Sequence, residues 1–264
     1  MPGSVNSPAD LNSVISVFGP LGPSPAPRDL SAYYRGGPYV PSGPGTASIP
    51  TTAPIILSHF AGAYYTTGTT FPYSVVYNVA GSGSVTIPNC STGTIIEIWG
   101  GGGGGGGGAI PACTCGGGGG SGSFLYNRFT WGSCAWGKTI DYIVGCGGGA
   151  GIPGNNGALG QTSIVSSGTY NIPTVMDAPG GHGGHDGTFS GGAPGGAGGS
   201  AGIGGTATAG NPGSPGISGL FGDGGAGITT CITSVTGPYG CGGNGYSGGP
   251  SQPGTPGAVA FTWE

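Results

Sequence analysis

The chain has 264 residues, of which 69 are glycine and 24 proline; only 5% are charged, for a net charge of −4. Its four cations, Arg28, Arg35, Arg128 and Lys138, are too few and too scattered to neutralise a phosphate backbone, and no apolar run is long enough to span a bilayer. Disorder goes with high net charge and few aromatics, whereas this chain carries 12 Tyr, 8 Phe and 4 Trp, so its order must come largely from something other than a side-chain core.

The opening decapeptide MPGSVNSPAD has neither a basic nor an apolar leader region, so no secretory signal is expected. Residues 1–66 are rich in Pro and Ser, and one short pattern occurs twice: LSAYYRGG from Leu30 and LSHFAGA from Leu57. Leu30, Tyr33, Tyr34, Ile55, Ile56, Leu57 and Phe60 form an apolar set with little regular structure to bury it. The expectation is an extended, irregular attachment region over 1–66, laid along a partner or along other copies of the chain, followed by a glycine-rich domain over 67–264.

Strand patterns begin near Phe71 with YSVVYNV (73–79), SVTIP (84–88) and TIIEIW (94–99). In the last, Ile96 and Ile98 share one face while Ile95, Glu97 and Trp99 share the other, as a period of two requires. SFLYNRF (123–129), TIDYIV (139–144), ITTCITSV (228–235) and AVAFTW (258–263) read the same way. No window has a convincing helical period.

Between the strands lie glycine segments, the longest being nine consecutive glycines after Trp99. From Gly192 to Gly225 every third residue is Gly at ten of twelve places, with Ala201 and Ala207 the exceptions; Gly242, Gly245, Gly248, Gly254 and Gly257 keep the same step, broken only at Ser251. A step of three is that of polyproline II, a left-handed helix without internal hydrogen bonds. Collagen tolerates no substitution at its axial glycine, so Ala201 and Ala207 argue against it. The alternative is a bundle of such helices from one chain, in which neighbours without Cβ atoms satisfy each other's backbone groups. One straight helix of twelve triplets would span ~110 Å, so the chain is expected to fold back in shorter rods. The predicted fold is mainly β: a small β-sandwich-like domain carrying polyglycine/polyproline II segments, with essentially no α-helix.

The stretch GSGSVTIPNCSTGTIIEIWGGGGGGG resembles the glycine-rich domain of bacteriophage virion proteins, notably tail-fibre and other tail proteins. GKTIDYIVGCGGGAG is similar to that domain's second strand–glycine element, and GAVAFTWE looks like its closing strand. The glycine motifs also resemble the stacked polyglycine II helices of tail-fibre tip adhesins of T-even phages. The resemblance covers roughly Phe71 to Glu264 and implies a virion part, assembled in the host cytoplasm and carried on the particle. It implies other virion proteins as partners, a homo-oligomer for which a trimer is the guess, and a host cell-surface receptor. Candidate receptor contacts are Trp131, Trp136, His182, His185, Phe189, Phe221, Tyr239 and Tyr246, taken as loops held at a tip by rigid rods. A capsid decoration protein is the alternative, and an ice-binding polyproline II bundle a second.

Other chemistry is thinly signalled. GSCAWGKT (Gly132 to Thr139) matches the P-loop pattern, but a β-branched and then glycine-rich run follows it where a helix would be needed to hold phosphate. His182 and His185 with Cys113 and Cys115 carry metal-ligating chemistry, yet C-x-C is not the usual spacing and no helix presents the two imidazoles, which are placed on loop tips. No metal, cofactor or catalytic residue is assigned, and the chain is read as a structural protein rather than an enzyme. The seven cysteines leave the choice between disulfides and buried thiols open.

Overall fold

Residues 11–18, 30–33, 35, 40, 48–52, 54–61, 72–89, 91–108, 114–187, 193–217, 220–228, 237, 239–247 and 249–264 are described in a computed structural model of the chain. The chain divides into two units, Met1–Thr70 and Phe71–Glu264.

The first unit contains a helix that the sequence reading does not place, α1 (Leu11–Phe18). Its apolar residues Leu11, Val14, Ile15 and Phe18 sit at i, i+3, i+4 and i+7, which makes one apolar stripe. Val14 and Phe18 are buried with Tyr33, Val40, Ile49 and Phe60 in a small core. Both copies of the Leu-Ser motif fold alike, as 3-10 turns at Leu30–Ala32 and Leu57–Phe60. The aromatic in the fourth position of each, Tyr33 and Phe60, is wholly buried in that one core. The expectation of an irregular segment with nothing to bury its apolar residues is thus corrected. Leu30, Ile55 and Leu57 pack against the core as well, while Ile56 stays 54% exposed. Tyr34 lies outside the described residues.

The second unit is mainly β, with two antiparallel sheets. Its strands are β1 (Tyr73–Tyr77), β2 (Gly81–Thr86), β3 (Gly93–Trp99), β4 (Phe124–Thr130), β5 (Thr139–Val144), β6 (Ser163–Ser167), β7 (Met176–Ala178), β8 (Thr206–Thr208) and β9 (Ala258–Trp263). One sheet has the order β1-β9-β3-β4-β8, the other β2-β5-β6-β7. Alternation decides the inner faces: Ile96, Ile98, Leu125, Val259 and Phe261 of the first sheet meet Val85, Ile140, Val144, Val165 and Met176 of the second in one core. The last strand, β9, lies between β1 and β3, so residues distant in sequence complete the centre of the sheet. Of the expected strand at 228–235 only Ile228 is described.

Between these strands, the described residues of the second unit include ten rods bonded to one another by backbone hydrogen bonds at every third residue. They are rod 1 (100–107), rod 2 (116–123), rod 3 (145–152), rod 4 (155–162), rod 5 (179–187), rod 6 (193–200), rod 7 (209–216), rod 8 (221–227), rod 9 (241–246) and rod 10 (251–257). Every N–H of rods 1 and 2 donates to a backbone carbonyl at 2.8–3.0 Å, on a neighbouring rod or, for Gly122, on Gly240 just before rod 9. Rod 1 donates in rotation to rods 2, 4 and 10 and accepts from rods 3, 5 and 9. Rod 2 donates to rods 9, 5 and 7 and accepts from rods 1, 6 and 8. Each central rod therefore has six neighbours, which is hexagonal packing. Two adjacent sites of a hexagonal lattice have eight further neighbours between them, and eight outer rods close the ring here. The rods alternate in direction along the chain, and no glycine inside them has positive φ, as a left-handed polyproline II conformation requires.

The sequence encodes each rod's place in this lattice. A Cβ on Gly104 would lie within the envelope of the Gly149 carbonyl, and one on Gly118 within that of Asp223. Rod 1 is therefore glycine throughout, while rod 2 departs only at Ser121 and Ser123, whose hydroxyls bond to Asn211 N–H (2.7 Å) and the Pro179 carbonyl (3.1 Å). Rod 5 touches both central rods and reads Gly-Gly-His twice over 180–185, the third residue facing solvent. Rod 7 touches only rod 2 and two outer rods, and reads Gly-Asn-Pro-Gly-Ser-Pro over 210–215. In rods 7 and 10, Pro212, Pro215, Pro253 and Pro256 are exposed, while the other N–H groups of these triplets bond to neighbours. Proline removes the one donor without a lattice partner and presets the backbone angle. The register from Gly192 to Gly225 is three rods rather than one helix. Ala201 lies past the end of rod 6 and Ala207 in β8, where the chain has left the bundle. Ser251 is buried in rod 10, its hydroxyl donating to the carbonyls of Gly105 and Gly151.

Candidate functional site

Sandwich and bundle are continuous. β3 runs into rod 1, rod 2 into β4, β5 into rod 3, rod 4 into β6, β7 into rod 5, and rod 10 into β9. The opposite ends of the rods are joined pairwise at 108–115, 153–154, 188–192, 217–220 and 247–250, so five reversals converge on one far end. With rods of about eight residues at ~3.1 Å per residue, this end stands roughly 25 Å beyond the strands. At the other pole, Tyr73 pairs with Trp263, so the unit's first strand begins where the sandwich is farthest from the rods.

The described residues of the far end are partly apolar and carry no cation. Phe221 and Tyr246 lie with ring centroids 6.4 Å apart and planes at 18°, each about half exposed. Ile217 (50% exposed) and Leu220 (61%) are bridged to one another by the reversal between rods 7 and 8. Across the tip, Asn155 and Asn156 open rod 4, and the Asn156 side chain accepts from the Asp186 N–H at 2.8 Å. The rods contain no Lys or Arg, and their only carboxylates are Asp186 and Asp223.

Seven of the eight candidate contact residues are described, and they fall in four places. Phe221 and Tyr246 are at the tip. His182 and His185 are not on loop tips, because they occupy the outward position of successive triplets on the flank of rod 5. Tyr239 packs on Trp99 at the waist between sandwich and rods, centroids 5.2 Å apart, and is largely consumed there. Trp131 and Trp136 are at the opposite pole. Their indole N–H groups donate to the Ser91 hydroxyl (3.2 Å) and carbonyl (2.9 Å), and Trp131 packs on Tyr170 and Trp263. Phe189 lies outside the described residues. Ile217, Leu220 and Asn156 were missed by sequence reasoning. The glycine step that fixes rod ends was the available signal, since every side chain at a reversal belongs to the tip.

Neither chemical motif gathers into a site. GSCAWGKT becomes a 3-10 turn (Ser133–Ala135) with Gly137 at φ 74°, running straight into β5, so no helix N-terminus faces its Lys138. No group of three or more His, Cys, Asp or Glu residues is placed to hold a metal among the described residues. Cys113, like Cys90 and Cys231, is outside them; Cys115, Cys134 and Cys146 are free thiols. Compared with models of known protein families and with curated proteins, the chain matches none.

Proposed function

We propose that this chain is a bacteriophage virion structural protein, a tail-fibre or tail-tip component whose far end touches the host surface. The observation that carries this reading is polarity: the second unit starts at one pole of the sandwich, and ten rods hold five reversals at the other. Such a scaffold ties every rod to the lattice and leaves the reversals free to vary, the arrangement expected of a recognition surface on a rigid stem. The first unit joins the protein to another virion component or to its own copies, in a threefold assembly. The resemblance of the 71–264 segment to phage glycine-rich domains supports the assignment to a virion.

The test is competition. Soluble full-length protein, added in excess, is expected to slow adsorption of the parent phage to its host. The double variant Phe221→Asp/Tyr246→Asp, with an unchanged circular dichroism spectrum, is expected to lose this effect. Gold-labelled antibody should mark the tail of the particle. Decoration spread evenly over the capsid, with no competition by the soluble chain, would overturn the tail reading in favour of a capsid decoration protein.

A further inference from the structure

A second candidate site sits far from the tip, on one flank of the sandwich, where the chain crosses from β1 in one sheet to β2 in the other and leaves a cleft beside β5. Its volume is about 280 Å³, just under the ~300–1,000 Å³ of drug-sized ligand sites and suited to one small ring. It is lined by Val76 and Tyr77 of β1, Asn78 of the connection, Ser82 of β2 and Tyr142 of β5, and no lining residue is charged.

The aromatic wall of this cleft is built in advance. Tyr142 stands opposite Gly83 of edge strand β2, and its ring lies over the glycine, so a Cβ on Gly83 would meet the phenol at 2.5 Å. Covering an edge glycine with a cross-strand aromatic is a recognised way to hold register, and it fixes this ring. Tyr77 stacks on Tyr142 with centroids 4.2 Å apart and planes at 25°, and both lean edge-on against buried Phe261. The Tyr142 phenol is pushed above its usual range by burial, then by the neighbouring Tyr77, to which it is hydrogen-bonded. It therefore stays a neutral hydrogen-bonding group at physiological pH.

A fixed aromatic face, two phenol oxygens, an amide and a hydroxyl, with no ion to attract a phosphate or a metal, select a neutral ligand with a flat apolar face and several hydroxyls. We propose that the cleft between the β1–β2 crossover and the Tyr77–Tyr142 pair binds a single neutral sugar residue. This site is independent of the far end of the rods and stands or falls apart from the tail reading.

The test uses the full-length, ¹⁵N-labelled chain titrated with three probes: methyl α-D-glucopyranoside, methyl β-D-galactopyranoside and methyl N-acetyl-β-D-glucosaminide. At least one is expected to shift the amides of Asn78 to Ser82 saturably, with Kd on the order of 1 mM for so small a contact. Ser82→Arg, which fills the cleft from an exposed edge position and leaves both tyrosines in place, should weaken binding at least about tenfold, which is 1.4 kcal/mol. Tyr77→Phe keeps the stack and should weaken it severalfold. No shift at the β1–β2 crossover with any probe, shifts there that survive Ser82→Arg, or shifts confined to the reversals around Phe221 and Tyr246 would each overturn the proposal. The last result would leave the tip reading intact.

Discussion

The sandwich and the bundle are two halves of one unit ordered by opposite means. In the sandwich, Ile96, Ile98, Leu125, Phe261 and Trp263 are buried side chains, and the backbone ladders hold them in place. In the bundle the buried material is the backbone itself, and Gly100 to Gly107 are all buried without contributing a side chain among them. Side-chain cores absorb some error, because a neighbour can change rotamer. A core of peptide groups cannot, because every added carbon meets a carbonyl fixed by its own hydrogen bond.

The sharpest way to break this comparison is to exchange the two kinds of damage. Gly104→Ala adds one methyl group to rod 1, against the Gly149 carbonyl. It is expected to cost about 5 kcal/mol or more and to leave no folded second unit. Ile96→Ala removes most of a wholly buried side chain in β3 and is expected to cost about 2–5 kcal/mol, with the fold retained. Chemical denaturation followed by circular dichroism ranks the two. If Gly104→Ala proved the milder, the backbone-core account would be wrong.

A smaller contrast tests the lattice position by position. Gly213 of rod 7 faces the Gly118 carbonyl, whereas Ala197 of rod 6 is exposed. Gly213→Val is expected to cost about 3 kcal/mol, less than a central-rod change because rod 7 has fewer neighbours and can shift. Ala197→Val should fall within about 0.5 kcal/mol of the parent. Equal costs at the two positions would mean that the triplet register does not report packing.

The smallest effect concerns pH and belongs to the sandwich alone. Burial, with Tyr77 as the second cause, raises the pKa of both Tyr73 and Tyr142 above 10.0. Phenols harder to ionise folded than unfolded leave stability unchanged while both states are protonated. Stability then falls as pH climbs from the unfolded value of about 10 through the folded one. Urea midpoints are expected to be level up to about pH 10 and to decline above it, and Tyr142→Phe should soften the decline.

The bundle was the more legible region, since a packed backbone must be glycine and the step of three appears in the letters. β3 and β9 were legible for a similar reason, because alternation shows when one face is buried. Their placement was not: nothing local to AVAFTW says that it enters between β1 and β3. β8 was hidden because Thr206, Ala207 and Thr208 carry too little apolar surface to show a period. α1 was passed over although Leu11, Val14, Ile15 and Phe18 have helical spacing, since eight residues among prolines and serines make a weak signal. For the candidate site, the sequence offered aromatic residues without saying which were used internally. Trp131, Trp136 and Tyr239 have partners far away in sequence, at Ser91, Trp263 and Trp99, and only the fold reveals them. Phe221 and Tyr246 came from the same set of aromatics, and only the fold places them beside the reversals.

Burying peptide groups instead of hydrocarbon also has a calorimetric consequence. Exposure of apolar surface raises the heat capacity on unfolding and exposure of polar surface lowers it, and the usual net is about 12–15 cal/mol/K per residue. Ten rods whose interior is glycine backbone expose little hydrocarbon when they come apart. Their increment should lie well below that range, and the stability curve of the second unit should be correspondingly flat. Hydrophobic stabilisation fades on cooling, but a lattice of hydrogen bonds does not depend on it. The bundle is thus built to stay ordered toward the freezing point, where an oil-like core of equal size would be losing its hold.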